Sequence, residues 1–272
     1  MGITKNIRAF IYQLKRLKKW DFVPNKSKPK IIITFTTVPS RIAQIKPTII
    51  SLLQQTYCPS IIELNLAVNP QKEDKDWSVP LWLESLTSVS INWLDYDYGP
   101  ASKLIPTLER HQNEDCLIIV VDDDMIYPKD LIENFFKADQ QSHGKKVFCA
   151  SGHPITKNHH FFESPPGRRI TDGSCRVAII EGCGGYSLRP EHFNIETLKS
   201  LDGAPDNAMR MDDIWFSGHL SRRNIEKIKI ATSRRHGLPQ SMEAAITGPR
   251  ETLSNTLLDF FSEDWHPNEY SD

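Results

Sequence analysis

From residue 30 onward, short β-branched and apolar runs alternate with stretches of helical spacing. Residues 31–35, 61–68, 89–94 and 116–121 read as strands, and 47–55, 80–86, 102–111 and 128–143 as the helices between them. Continuous apolar strands separated by helices predict a mainly parallel sheet covered on both faces, an α/β body. After a strand at 147–150 the alternation loosens. A Gly/Pro/His-rich stretch (152–173) is followed by a strand at 177–180, a glycine cluster, a helix over 212–222, a last strand at 225–231 and an amphipathic helix near 252–261. The reading is one α/β domain over 30–250, with an arm at 1–29 in front of it and a C-terminal helix and tail at 251–272.

In the arm, Ile3, Ile7, Phe10, Ile11, Leu14 and Leu17 fall at helical spacing with basic residues between them. Charge sharpens this division. The formal net charge is -1, yet residues 1–30 hold nine Lys/Arg and one acid, so a basic arm precedes an acidic body. An apolar face opposite a positive one suits an anionic membrane surface met by residues 1–20; a helix docked on the body and a partner-protein site stay open beside it. Position 6 is Asn6, so the myristoylation pattern fails. The acidic body and the arm's aliphatic face argue against nucleic acid. No apolar stretch approaches the roughly 20 residues of a spanning helix. The first twenty residues lack the continuous apolar core of a secretory signal. Five scattered cysteines form no disulfide framework. Cytoplasmic residence is expected, with possible attachment to the inner face of the membrane.

Candidate chemistry gathers after the strands, where open α/β sheets bind ligands. The most apolar strand runs directly into Asp122-Asp123-Asp124. Three adjacent carboxylates at a buried strand end repel one another, and a divalent cation removes the conflict. Alternation along extended backbone turns Asp122 and Asp124 toward one ion and Asp123 elsewhere. A solvated turn or helix cap before Pro128 is the plainer alternative.

The segment VVDDDMIYP resembles the D-x-D region of nucleotide-sugar-dependent glycosyltransferases of the GT-A fold, family 2-like. ITFTTVPSRI, TIISLLQQTYCPSIIELNLAV, DYGPASKLIPTL, EGCGGYSLRP and MDDIWFSGHL resemble further segments of that family in the same order, together spanning 31–236. The resemblance implies a GT-A-like single domain and transfer of a sugar, with inversion, from a nucleoside diphosphate sugar, UDP-linked by preference, to a hydroxyl of a glycan or lipid-linked acceptor, as in surface polysaccharide or lipopolysaccharide synthesis. It implies Mn2+ or Mg2+ held by Asp122 and Asp124, with His236 as a further ligand. Thr36, Thr37, Arg41, Asp97, Lys103 and Asp123 become candidates for nucleotide or donor contact, with Gly184 and Gly185 lining the sugar. Asp213 becomes the candidate general base, with Asp212 orienting the acceptor. Plainer roles compete at each position: a turn around Pro39, a surface lysine, a β-bulge at the glycines, and a helix whose first turn favours acids through its dipole. Arg234 and Arg235 suit a diphosphate, and Cys183 reads as a packed residue. The stretch 152–173, with His153, His159 and His160, reads as an acceptor-side lid.

Two other functions compete. A nucleotidyltransferase on a related sheet would carry a glycine-rich basic signature near the first strand, which TFTTVPSR lacks. A non-catalytic sugar-nucleotide or glycan-binding protein would have no need of both acidic motifs.

Overall fold

The computed structural model describes residues 17–24, 29–71, 76–156, 173–233, 235–238 and 250–271. Along them run strands β1 (Lys30–Thr36), β2 (Ile61–Ala67), β3 (Val89–Leu94), β4 (Cys116–Val120), β5 (Met125–Ile126), β6 (Val147–Cys149), β7 (Gly152–His153), β8 (Ile155–Thr156), β9 (Ser174–Arg176), β10 (Ile179–Ile180), β11 (Tyr186–Leu188), β12 (Lys227–Ile230), β13 (His236–Gly237) and β14 (Tyr270–Ser271). The helices are α1 (Lys46–Leu53), α2 (Leu81–Glu84), α3 (Ile105–His111), α4 (Leu131–Gln141), α5 (Ile195–Lys199), α6 (Asp212–Arg222) and α7 (Arg250–Phe260).

Eight strands form one sheet in the order β3-β2-β1-β4-β11-β6-β12-β9. β3, β2, β1 and β4 are mutually parallel, β11 runs against both β4 and β6, and β9 runs against β12. The sheet is therefore mainly parallel, as the apolar runs predict. Alternation along the strands feeds two cores. Ile32, Ile118 and Val120 pack with α3, α6 and α7 on one face, whereas Ile31, Ile33, Phe35, Leu117 and Ile119 pack with α1, α2 and α4 on the other.

Of the expected strand at 177–180 only β10 forms, paired with β7, and β9, just ahead of that stretch, closes the edge of the large sheet. β11 and α5 are additions to the predicted elements. The end of the predicted arm packs on the body. Leu17 is fully buried with Trp20 and Phe22 against the same core, and the Asp21 carboxylate accepts hydrogen bonds from the backbone N–H and hydroxyl of both Thr87 and Ser88. Residues 1–16, which carry the rest of the predicted amphipathic face, and the 157–172 stretch with His159 and His160, lie outside the described residues. No described helix is long and apolar enough to cross a membrane.

Strand order reverses direction between β1 and β4, since β2 and β3 lie on one side of β1 and β4 on the other. The crevice outside the carboxyl ends of strands at such a switch point is where open α/β sheets take ligands. Thr36, Thr37 and Arg41 follow β1 there, and Asp122–Asp124 follow β4.

Candidate active site

At the mouth of β4 the acid triplet is divided differently from simple alternation: Asp123 and Asp124 both reach Arg41, and Asp122 reaches Lys103. Asp123 turns inward and is almost wholly buried. Its carboxylate pairs with Arg41 (Nη2 to Oδ1, 3.0 Å) and accepts the Thr37 hydroxyl, while Thr48 donates to its backbone carbonyl at 2.8 Å. Burial pushes the Asp123 carboxyl up to about 6, an effect that Arg41 and Thr37 only partly offset. Arg41 reaches Asp124 at 3.5 Å. The Asp124 carboxyl is raised by burial and then by the charge of Asp122.

Asp122 faces the opposite bank. Lys103, which ends the 3-10 turn Gly99–Lys103, points its ammonium between two acid motifs: Nζ lies 2.6 Å from Asp122 Oδ1 and 2.9 Å from Asp212 Oδ2. The lysine side chain is 9% exposed. It is an internal clamp between β4 and the head of α6, where the sequence suggested a point charge reaching outward. Gly182 leaves room for this pair. A Cβ there would stand 2.6 Å from Asp122 Oδ1 and 2.8 Å from Lys103 Nζ.

The first turn of α6 supplies Asp212 and Asp213. Asp212 is buried and committed to Lys103; Asp213 is half-buried and accepts the Gly182 backbone N–H at 3.0 Å. Burial raises both carboxyls. Asp213 stands well above the ordinary range because the Asp212 charge adds to its desolvation, whereas Lys103 pulls Asp212 back. The two sit close enough to titrate as a pair.

The remaining candidates have these places. Thr36 donates to the Asn65 carbonyl at 2.7 Å, tying the end of β1 to β2. Asp97 caps a turn, accepting from Gly99 N at 2.7 Å and from Gln71 N at 2.8 Å. Gly184 presses on Ser151, whose backbone N would lie 2.5 Å from a Cβ, and Gly185 turns the chain into β11 at φ 77°. His236 is exposed in β13, which pairs with β5 directly after the triplet; beside it Leu238 N donates to the Asp124 carbonyl at 2.8 Å. Arg235 donates to Cys183 Sγ at 3.5 Å, and burial pushes that thiol up to about 12, which leaves it protonated and unfit as a nucleophile. Arg234 lies outside the described residues.

Three participants escaped the sequence reading. The Tyr127 hydroxyl accepts the Asp122 backbone N–H at 2.8 Å and donates to the Gly182 carbonyl at 3.3 Å, stitching the two segments together. Thr48 fixes Asp123, and Thr34 holds the Lys103 carbonyl at 2.6 Å. Tyr127 carried a signal in its place within the motif MIYP, and Thr34 in interrupting the apolar run of β1.

Five carboxylates (Asp122, Asp123, Asp124, Asp212 and Asp213) thus meet two described cations, Arg41 and Lys103. Among the described residues no trio of His, Cys, Asp or Glu is gathered into a preformed metal cage. The excess of hard oxygen donors, with Asp124 raised by its neighbour, nonetheless fits a divalent cation of the kind that takes one or two carboxylates and completes its shell with phosphate oxygens.

No family model and no curated protein matches the chain by sequence. Solved structures match by shape. S. aureus TarS 1-349 in complex with UDP-GlcNAc superposes with a TM-score of 0.52 at 13% identity, over 86% of this chain and 66% of the other. The same TarS fragment in another crystal structure gives 0.50 at 12% identity, over 86% and 65%. This chain therefore spans just under two thirds of the TarS fragment. A mannosyltransferase from Pyrobaculum calidifontis, PcManGT, in complex with GDP-Man and Mn2+ gives 0.48 at 14% identity, over 96% and 83%. The chain has the GT-A-like glycosyltransferase fold.

Proposed function

We propose that the chain is a metal-dependent, inverting glycosyltransferase that moves a sugar from a UDP-linked donor to a hydroxyl of a glycan or lipid-linked acceptor, as in surface polysaccharide or lipopolysaccharide synthesis. One observation carries the proposal: two acid motifs ninety residues apart meet at the sheet's switch point across the Lys103 ammonium. The likeness to the TarS fragment solved with UDP-GlcNAc supports the choice of a UDP-linked donor.

In this reading Asp122 and Asp124 hold Mn2+ or Mg2+, with His236 in the adjoining segment as a further ligand. The cation, when bound, neutralises the diphosphate and makes it a better leaving group. Thr36, Thr37, Arg41 and Asp97 line the nucleotide side, Asp123 sets the Arg41 guanidinium, and Gly184 and Gly185 let the backbone approach the sugar. Asp213 takes the acceptor proton onto its carboxylate as the hydroxyl oxygen bonds to the anomeric carbon. The bond from that carbon to the diphosphate breaks on the opposite face, and its electron pair leaves with the diphosphate. A carboxylate raised by burial and by a neighbouring charge is a stronger base than one in water. Asp212 is neutralised by Lys103 and orients the acceptor.

The test is a thermal-shift panel of nucleoside diphosphates with and without Mn2+, repeated on Asp124→Ala. Stabilisation by UDP only with metal, lost in the folded variant, is the expected result. Equal stabilisation of Asp124→Ala overturns the metal assignment. Release of pyrophosphate from a nucleoside triphosphate overturns sugar transfer in favour of nucleotidyl transfer, and tight UDP-sugar binding without turnover over a broad acceptor panel overturns catalysis.

A further inference from the structure

Beneath the Lys103 turn lies a polar network that a sheet buried on both faces does not need for packing. Thr34 on β1 and Glu63 and Asn65 on β2 share the face that is otherwise aliphatic, with Thr34 and Glu63 directly paired. All three are at most 5% exposed. Across from them α3 contributes Thr107, also fully buried, and Arg110. Burying this many polar groups is costly unless each finds a partner.

Here each does, and charge and valence set the direction of the main bonds. Glu63, flanked by Arg110 at 2.5 Å and by His111 at 2.8 Å, is a carboxylate and only accepts; these partners hold it at about 2. The Thr107 hydroxyl therefore donates to Glu63 Oε2 at 3.0 Å. The Asn65 amide donates one hydrogen to Thr34 Oγ1 and the other to Thr107 Oγ1, both at 3.1 Å, while Arg110 donates to Asn65 Oδ1 at 2.6 Å and so fixes the amide's orientation. The Thr34 hydroxyl donates to the Lys103 carbonyl at 2.6 Å, and its oxygen also lies 2.7 Å from Thr107 Oγ1, which already receives Asn65 and Arg110 at 3.1 Å each. A hydroxyl has a single proton to give, and with Thr107 Oγ1 so occupied the Lys103 carbonyl is the acceptor that Thr34 serves.

We infer that Thr34, Asn65 and Thr107, with Glu63 and Arg110 behind them, are positioning residues whose task is to hold the Lys103 turn so that its ammonium stays between Asp122 and Asp212. The strand register serves this arrangement: Thr34 pairs with Val120, two residues before Asp122, so the lysine's backbone anchor and one of its two carboxylates are fixed by neighbouring strands. The inference concerns the placement of Lys103 and does not depend on which reaction the mouth performs.

Competitive acetylation with acetic anhydride, read by mass spectrometry well below the unfolding temperature, tests it without a substrate. Lys227 and Lys229 are as buried as Lys103 but lie on β12, remote from the network, and report any general loosening. In Thr34→Val, Lys103 labels faster by about tenfold or more, as a buried carbonyl that loses its donor opens locally. Lys227 and Lys229 stay at the parent rate, and Thr34→Ser, which keeps the hydroxyl, restores protection. An unchanged Lys103 rate, or a rise shared by all three lysines, overturns the inference. If Thr34→Val does not fold, Thr34→Ala, which removes the same hydroxyl with a smaller side chain, bears the same test.

Discussion

Replacing Lys103 with methionine keeps the length of the side chain and removes its charge, leaving Asp122 and Asp212 facing each other without a cation. The ammonium lies 2.6 Å from one carboxylate and 2.9 Å from the other, and the side chains of Lys103 and Asp212 are 9% and 11% exposed. Breaking a buried ion pair by removing one partner costs about 3–5 kcal/mol. The Asp122 side chain is 25% exposed, so water relieves part of its loss, and the lower end of about 3 kcal/mol is the appropriate figure. In a chain of this size each kcal/mol moves Tm by roughly 2–4 °C, which gives a fall of about 6–12 °C without metal. Circular dichroism melts at neutral pH measure it. Lys199→Met is the control: its pair with Glu109 is 2.5 Å long, but the two side chains are 38% and 36% exposed, and its loss costs less than about 1 kcal/mol. Added Mn2+ recovers more of the lost Tm in Lys103→Met than it adds to the parent, because two unpaired carboxylates then await a cation. A Lys103→Met melt no lower than the Lys199→Met melt would refute the clamp.

Asp213→Asn removes the proposed base while keeping an acceptor for the Gly182 N–H; transfer falls by about 10²–10⁴-fold while the Mn2+-dependent UDP stabilisation persists, and a turnover rate near the parent's would remove Asp213 from that role. Glu63 is held at about 2 against an ordinary 4.5, so its ion pairs contribute fully above pH 4.5 and are lost as pH falls toward 2, a span of about 3 kcal/mol. Urea midpoints measured from pH 5 to pH 2.5 should therefore fall less steeply in Glu63→Gln; parallel curves would show that Glu63 is not held down. Deletion of residues 1–16 spares the Leu17 and Asp21 anchors and should abolish sedimentation with anionic vesicles at an unchanged Tm, and undiminished sedimentation would count against membrane contact through the arm.

The first half of the sheet was legible because its strands are buried on both faces and leave unbroken apolar runs, as Ile31–Ile33 and Leu117–Val121 do. β11 was not. It is three residues long, and Tyr186 and Leu188 lie in the sheet only because β4 and β6 flank them, a constraint that local pattern does not carry. The acidic positions were visible as motifs, whereas their partners were not. Lys103 and Arg41 read as outward-facing because most lysines and arginines are, and periodicity assigns a side chain to a face of the sheet without saying what stands opposite. Thr34, Glu63 and Asn65 interrupt the aliphatic pattern of β1 and β2. That interruption is a sign of buried polar structure within the sequence itself, though it does not say which partners meet it.

The internal cations give the acids unequal roles. Arg41 sits 3.0 Å from Asp123 but 3.5 Å from Asp124, and Lys103 holds Asp212 while Asp213 takes only a backbone N–H beside it. In the triplet Asp122 is thus spent on Lys103 and Asp123 on Arg41, and in the second motif Asp212 is spent on Lys103, while Asp124 and Asp213 are left raised by burial first and by a neighbouring carboxylate second. A raised, less committed carboxylate is what either a divalent cation or an acceptor proton would meet. Asp124 and Asp213 occupy that position in their respective motifs, on opposite sides of the Lys103 clamp. Chemistry proposed for this mouth therefore falls first on those two, and Asp123 and Asp212 are the residues whose loss should be felt in stability before it is felt in turnover.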